Sequence, residues 1–277
     1  MKNYNLEVLV STMNQKDYSL IKKMNIQTDA LFINQCDLNQ YEELKKYEKN
    51  IRIISNTELG LSKSRNQALL NAKGDICLIA DDDIKYVDGY EKKVIDAFNK
   101  IPEADIIIFN TTMVNYSGSV KRSDIKKIRK APKYKNYGSV RIAFKRKSFL
   151  KYNIWFNILF GAGSLFGAGE ETLVLRDANR KGLKIYEYPE NIAEVDYSTS
   201  TWFEGYNEKY FYNKGAFLAA AYPRLKNVLK FYYIWRLKKY TDLSNKEIIK
   251  SLKSGFTGYR KTINYEEYKK INLQDKK

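Results

Sequence analysis

Three consecutive carboxylates, Asp81, Asp82 and Asp83, follow the apolar run Ile-Cys-Leu-Ile-Ala at 76–80. A run of that length reads as a buried strand, and in an open α/β sheet ligands bind at the carboxyl edge of the strands. Adjacent carboxylates repel one another unless a cation or an arginine offsets them. Oxygen-only ligands suit Mg2+ or Mn2+, and a hard cation there would in turn hold a diphosphate. If the strand continued through the triplet, Asp81 and Asp83 would share one face and Asp82 would point the other way, to solvent or behind the metal's own ligands. A second acidic pair, Glu170 and Glu171, opens a predicted helix at 170–181. The glycine-rich stretch at 157–169 lies directly before it, with Leu-Phe-Gly-Ala-Gly occurring twice. The chain has no histidine, so Ser–His and Cys–His catalysis are excluded and a base must be a carboxylate, Lys, Tyr or Cys.

These residues need elements to position them. Before the aspartates runs Gly-Leu-Ser-Lys-Ser-Arg-Asn at 60–66. Gly60 permits a tight entry, Ser62 is the expected N-cap, and the helix is expected over 63–72. Gly74 falls where a left-handed residue usually ends a helix. Arg65 and Asn66 fall in the first turn, where free N–H groups and the dipole favour an anion. The Arg65 guanidinium could serve a diphosphate or Asp81. Upstream, strands are expected at 7–11, 30–35 and 51–55, with helices at 18–24 and 41–48. Downstream come a helix at 89–100 and strands at 106–109, 138–144 and 184–188, the last ended by Pro189. Short strands alternating with helices of 8–12 residues predict an α/β fold with a mostly parallel sheet.

Gly-Leu-Ser-Lys-Ser-Arg-Asn, the Ala and Gly-Asp that follow, an apolar strand and Asp-Asp-Asp resemble a family 2 glycosyltransferase of the GT-A fold, the type found in bacterial polysaccharide synthesis. The resemblance covers residues 6–203. It implies an enzyme, an inverting hexosyltransferase that uses a nucleotide-diphosphate sugar, most simply a UDP-sugar, with Mn2+ or Mg2+ as cofactor. It implies Asp83 as metal ligand, Asp81 toward the ribose or a metal-bound water, and Thr12 and Asp37 as nucleotide contacts, with Arg65, Asn66 and Asp82 also on the donor side. Ser11 replaces the proline usual in the family opening, and Met13 a common tyrosine. Gly169-Glu170-Glu171-Thr172 stands where the family has Gly-Glu-Asp-Thr, which makes Glu171 the expected base and Glu170 its alternative. Some relatives carry a metal-binding histidine before Ser-Thr-Trp-Phe; Asp196 is the nearest substitute here. Gly161, Gly163 and Trp202 are the expected acceptor contacts.

Charge is distributed unevenly. The formal net charge is +17, yet residues 119–151 hold +12 and 201–277 hold +10, which leaves the rest at −5. That pattern argues against a uniformly basic nucleic-acid binder. Residues 117–136 are dense in Lys and Arg and poor in apolar residues, which predicts a mobile loop. A GT-A domain at 1–205 and a basic, aromatic helical extension at 206–277 form the expected division. In the extension Leu225, Val228, Leu229, Tyr232 and Trp235 share a helical face, while Ile234 and Leu237 break the pattern; such a helix suits an anionic membrane surface or its own domain. No apolar stretch is long enough to span a bilayer, and the start lacks a signal-peptide layout. Cys36 and Cys77 fall in expected strands, as reduced buried thiols. The expectation is a cytoplasmic enzyme, peripheral on the inner face of the membrane, with a lipid-diphosphate-linked glycan as acceptor and no nucleic acid, in capsule or exopolysaccharide synthesis; oligomeric state stays open. A nucleotidyltransferase and a non-catalytic basic binding module are the competing classes.

Overall fold

The structure, a computed structural model, describes residues 2–46, 48–116, 119–122, 125–133, 135–196 and 204–274. The chain divides into two compact units, Met1–Phe156 with Val174–Ser200, and Asn157–Leu173 with Thr201–Lys277. The expected extension thus forms most of the second unit, and the glycine-rich stretch joins it.

The first unit opens with β1 (Leu6–Met13), α1 (Ser19–Lys23), β2 (Asp29–Gln35), β3 (Gln40–Lys46) and β4 (Lys49–Asn56). It continues through α2 (Leu61–Asn71), β5 (Ile76–Asp81), β6 (Ile84–Tyr86), α3 (Tyr90–Lys100), β7 (Ile106–Tyr116), β8 (Ser119–Arg122) and β9 (Arg129–Lys130). A 3-10 turn at Ser139–Arg141 leads into β10 (Ile142–Lys145) and α4 (Arg146–Lys151); then come α5 (Glu170–Arg180), whose first residues belong to the second unit, and β11 (Ile185–Asp196). The sheet runs β3-β4-β2-β1-β5-β10-β7-β11-β6, with β8 on β7 and β9 on β11. The strands β4, β2, β1 and β5 are mutually parallel, β7 and β11 are parallel, and β3, β6 and β10 are antiparallel to their neighbours. This is the mixed α/β GT-A architecture that the sequence predicts.

Alternation of side chains builds a core on each face. Leu6, Val8, Val10, Leu78, Ile107 and Phe109 pack with α1 and α3 through Leu20, Ile21, Val94 and Phe98. Leu9, Cys77, Ile79, Ile106 and Ile108 point the other way, toward Ala68 and Leu69 of α2, Phe149 of α4 and Val174 of α5. Period-two burial on both faces is what a sheet covered by helices on both sides requires.

Several local expectations are corrected. Residues 40–46 form the edge strand β3 in place of the expected helix at 41–48. Of its side chains only Leu44 packs against the core, and β4 pairs every residue of it. Its Glu and Lys side chains guard the exposed edge. Gly60, at φ +124°, is the N-cap of α2, and Ser62 is fully buried instead of capping. Gly74 is needed for closeness: a Cβ there would lie 2.6 Å from Cβ of Glu7. Pro189 does not end its strand; β11 runs past it through an irregularity between Glu187 and Asn191, where proline is tolerated. Cys36 lies beyond the end of β2 and is half-buried, while Cys77 is buried as expected.

The basic stretch 117–136 is also anchored where it is described. Ile125 is buried in the core, and its main chain is held by both amide groups of Asn110. Glu187, fully buried, accepts from Arg129, from Lys135 Nζ at 2.9 Å and from Tyr137 Oη at 2.9 Å. Burial opposes its ionisation, but these three donors outweigh burial and hold its pKa below the usual carboxylate range. Residues 117, 118, 123, 124 and 134 of that stretch, and the Ser-Thr-Trp-Phe sequence with Trp202, lie outside the described residues.

The second unit packs α6 (Glu208–Ala221), α7 (Lys226–Leu237), α8 (Asn245–Lys261) and α9 (Tyr265–Gln274) around Phe160, Phe166, Phe211, Tyr212, Ile234, Leu237, Ile248 and Leu252. The helices α6 and α8 cross so closely that a Cβ on Gly255 would lie 2.0 Å from the carbonyl oxygen of Tyr212. On α7 the buried residues are Ile234, Leu237 and Lys230; of the expected stripe Leu229 packs against the core and the rest faces outward. Val228, Tyr232 and Trp235 are 67%, 44% and 79% exposed, and Phe231 beside them is 58% exposed. Among the described residues no helix is long and apolar enough to cross a membrane.

One buried carboxylate ties the start of β1 both to β4, through an ion pair, and to the turn before β5. Glu7 accepts from Arg52 Nη2, from the Lys73 amide at 2.6 Å and from the Gly74 amide at 2.9 Å. Removing one partner of such a pair strands the other charge in a dry environment. Glu7→Ala is therefore expected to destabilise the fold by about 3–5 kcal/mol, read as a lower urea midpoint with an unchanged m-value.

Candidate active site

Three strand ends converge on the first turns of α2. Ser64 Oγ bonds Ser11 Oγ of β1 at 2.9 Å, the Gly60 amide donates to Gln35 Oε1 of β2 at 2.7 Å, and Arg65 Nη2 donates to Asp81 Oδ1 of β5 at 2.7 Å. Arg65 is 3% exposed; it also donates to Ser139 Oγ at 2.9 Å and lies 5.5 Å from the Phe156 ring centroid. Ser139 Oγ in turn donates to Asp81 Oδ2 at 3.1 Å. Of the two roles the sequence left to Arg65, the structure displays the one on Asp81. Asn66 uses both ends of its amide on the Phe156 backbone, at 2.8 and 2.9 Å, which makes it a clamp between α2 and the chain after α4.

The aspartates do not continue as a strand. Asp81 ends β5, and Asp82 and Asp83 form a tight turn into β6. The expected alternation is therefore absent; of the two places expected for Asp82, solvent or behind the metal's own ligands, the structure shows it accepting from Thr12 Oγ1 at 2.6 Å. The Asp83 carbonyl accepts from the Asp196 amide at 3.1 Å, which brings Asp196 beside the turn. Partial withdrawal from water, together with the charges of Asp81, Asp82 and Asp196, pushes the Asp83 pKa up to about 6 although part of the residue stays at the surface.

Among the described residues, no group of three or more His, Cys, Asp or Glu side chains is disposed to hold a metal by itself. A hard divalent ion needs only one or two carboxylates when phosphate and water supply its other ligands. The donor set fits that case. Asp81 is already balanced by Arg65, whereas Asp83 carries repulsion that a cation would relieve.

A cavity of about 530 Å3 opens beside this turn, and Thr12 is common to both. Tyr18, Phe32 and Leu38 give it apolar wall, and Asn34, Asp37 and Ser55 give it polar groups. The structure thus places Thr12 and Asp37 in one cavity. Sequence reading missed Asn34, which is 3% exposed at the end of an otherwise apolar strand. Its amide is fixed by Gln15 and Ser55, with Nδ2 at 3.0 Å from the Gln15 carbonyl and 3.2 Å from Ser55 Oγ. A buried amide in the run Ala-Leu-Phe-Ile-Asn was the available signal.

The second set of expected residues lies in the other unit. Glu170 and Glu171 begin α5; Glu170 is buried and Glu171 is half-buried. The doubled Leu-Phe-Gly-Ala-Gly folds back on itself, with Gly161 N donating to Phe166 O at 3.0 Å and Phe166 N to Leu159 O at 2.9 Å. The phenylalanine of each copy enters the core, their rings 5.1 Å apart. Gly161 and Gly163 adopt φ of +109° and +72°, so these two expected acceptor contacts shape the loop. Lys214 on α6 has Glu171 as the carboxylate within electrostatic reach, and burial lowers its pKa to about 8 against that attraction, with Arg236 adding to the fall.

A sequence-family model described as glycosyl transferase family 2 matches residues 31–171, about half of the chain. No curated protein sequence matches it. Among solved structures, S. aureus TarS is similar at 15% identity and a TM-score of 0.55, covering 95% of this chain and 44% of that one. The chain therefore spans less than half the length of that TarS. The 1–349 form of S. aureus TarS in complex with UDP-GlcNAc matches at 16% identity and TM-score 0.56, covering 94% of this chain and 73% of that one. Its complex with UDP matches at 14% identity and TM-score 0.60, covering 94% and 93%. At these identities the likeness is one of fold.

The raised Asp83 pKa has a stability consequence whose sign is determined. Protonation favours the folded state, so that contribution is complete below 3.8 and is lost as pH rises through about 6. In chelator-treated protein, Asp83→Asn is expected to melt above the parent at pH 7.5, with the difference vanishing near pH 3.8. Thermal scans across that range check it.

Proposed function

The chain belongs to glycosyl transferase family 2, and we propose that it moves a hexose from a UDP-linked donor to a hydroxyl of a glycan acceptor, with inversion at the anomeric carbon. One observation carries the donor half. Thr12 lines the 530 Å3 cavity and also bonds Asp82, so a nucleoside in that cavity would send its diphosphate toward the aspartate turn. UDP is preferred because solved structures of S. aureus TarS, a protein of the same fold, hold UDP and UDP-GlcNAc.

In this reading the base lies against Tyr18 and Phe32, with Asn34 and Asp37 offering hydrogen bonds. Arg65 neutralises Asp81 and Thr12 restrains Asp82, which fixes the turn that presents Asp83. A divalent cation, Mn2+ or Mg2+, held there by Asp83 with Asp196 nearby, would stabilise negative charge on the leaving diphosphate. Glu171, or Glu170 beside it, accepts the proton of the attacking hydroxyl. One displacement from the face opposite the diphosphate inverts the anomeric centre.

The outward face of α7 supports membrane attachment. Val228, Phe231 and Trp235 form an exposed apolar strip, with Arg236, Lys238 and Lys239 at its end. An aromatic strip beside cations is how a helix lies in the interface of an anionic bilayer. A lipid-diphosphate-linked glycan is the acceptor that such placement serves, in surface polysaccharide synthesis at the inner face of the membrane.

Two outcomes are expected. With Mn2+ and UDP-sugars, the protein releases free UDP and no pyrophosphate, and Asp83→Asn lowers kcat by about 10²–10³-fold, the usual cost of losing one transition-state charge contact. An inert wild type, or a variant at the parental rate, defeats the reading. Second, the protein co-sediments with vesicles containing phosphatidylglycerol, and the Phe231→Ala/Trp235→Ala double variant remains in the supernatant. Equal sedimentation of both would remove α7 from membrane attachment.

A further inference from the structure

A second cleft, of about 240 Å3, lies wholly within the C-terminal unit. One wall is the doubled Leu-Phe-Gly-Ala-Gly, through Ala162 of the first copy and Gly167 and Ala168 of the second. The other is one face of α6: Tyr210, Asn213, Lys214 and Phe217, at helical spacings of three, four and seven. The two walls are close. A Cβ on Gly167 would rest 3.5 Å from Asn213 Nδ2, and one on Gly169, at φ +111°, would strike Phe217 at 2.6 Å. Gly169 immediately precedes Glu170 and Glu171, so the loop that walls the cleft also leads into the acidic pair.

The lining is mixed in a specific way. Phe217 and Tyr210 supply ring surface, Asn213 supplies an amide, and Lys214 supplies an ammonium. That ammonium lies 5.6, 5.1 and 5.3 Å from the ring centroids of Tyr210, Phe217 and Tyr233. Each lysine of the lining has its own counter-charge: Lys209 pairs with Glu204 at 3.0 Å, and Lys214 is attracted by Glu171, with Arg236 a further cation in range. The lining lysines are thus already engaged by carboxylates of the protein. The chemistry of the cleft, a ring face for C–H groups beside fixed donors for hydroxyls, suits a neutral sugar ring.

We propose that this cleft, which Ala162 between the glycines at 161 and 163 helps to line, is the acceptor site, and that it takes an uncharged pyranose against Phe217 with Asn213 and Lys214 donating to its hydroxyls. The inference rests on the reading of Glu171 as base, because Lys214 links the cleft to that carboxylate. Lys214 is a binding residue in this scheme, and its pKa of about 8 keeps it a donor at neutral pH.

Saturation-transfer NMR on the full chain, with methyl β-glucoside, methyl β-galactoside, N-acetylglucosamine and, as the anionic control, glucose 6-phosphate, tests it. At least one neutral sugar is expected to receive saturation more strongly than glucose 6-phosphate. Gly167→Val fills the cleft without demanding a positive φ and is expected to abolish the signal; Lys214→Met is expected to weaken binding about tenfold, as loss of a hydrogen bond to a charged donor does. UDP binding measured in the same samples reports separately on the donor site and on folding. No transfer to any neutral sugar, preference for the phosphate, or undiminished signal in Gly167→Val overturns the assignment, whatever UDP does.

Discussion

The buried guanidinium of Arg65 is the constraint on which the donor side depends. Asp81, Asp82 and Asp83 follow one another where β5 turns into β6, with Asp196 within electrostatic reach of Asp83, and these charges repel one another without compensation. Arg65 balances Asp81 from inside the protein, and Thr12 restrains Asp82 from the neighbouring strand. The remaining repulsion falls on Asp83. A charged side chain is held in place by burial on one side, and another is left in want of a cation on the other.

That arrangement needs the carboxyl ends of β1, β2 and β5 to be aligned, and α2 aligns them. Ser64, Gly60 and Arg65 each bond a different strand end. Ser11, which departs from the proline usual in the family opening, is the β1 partner in this set. Behind α2, Glu7 anchors the turn at Lys73 and Gly74, so the register of β5 is set at both ends of one helix-strand unit. In the C-terminal unit the comparable role falls to glycine: Gly215 and Gly255 let α6 and α8 approach to backbone contact, and Gly258 leaves room for the Tyr212 hydroxyl.

Much of this was legible from residue order. The apolar runs at 30–35 and 76–80 are strands because both faces of the sheet are buried, and Arg-Asn followed by Asp-Asp-Asp marked the site. The misses share a cause, which is tertiary context overriding local composition. Residues 41–48 read as a helix from their Glu, Lys and Leu, but an open edge on β4 had unpaired backbone groups to satisfy. In the Lys/Arg-rich stretch the acceptor for Arg129 and Lys135, Glu187, lies more than fifty residues away, so the anchoring of the described residues there is invisible to local composition. The α7 stripe left a membrane surface and its own domain open, since periodicity identifies a face without saying what covers it; Val228, Tyr232 and Trp235 lie outward. Asn34 and the cleft on α6 involve residues far apart in sequence, and no spacing rule joins them.

The central claim is that Asp83 joins a cation to the diphosphate of a bound nucleotide. Crystals grown with UDP and Mn2+, with diffraction measured at the manganese absorption edge, test it most directly. The account predicts an anomalous peak coordinated by an Asp83 carboxylate oxygen and by both phosphates, with the uracil in the cavity lined by Tyr18, Phe32 and Asn34. A peak away from Asp83, or UDP bound elsewhere on the molecule, would contradict it.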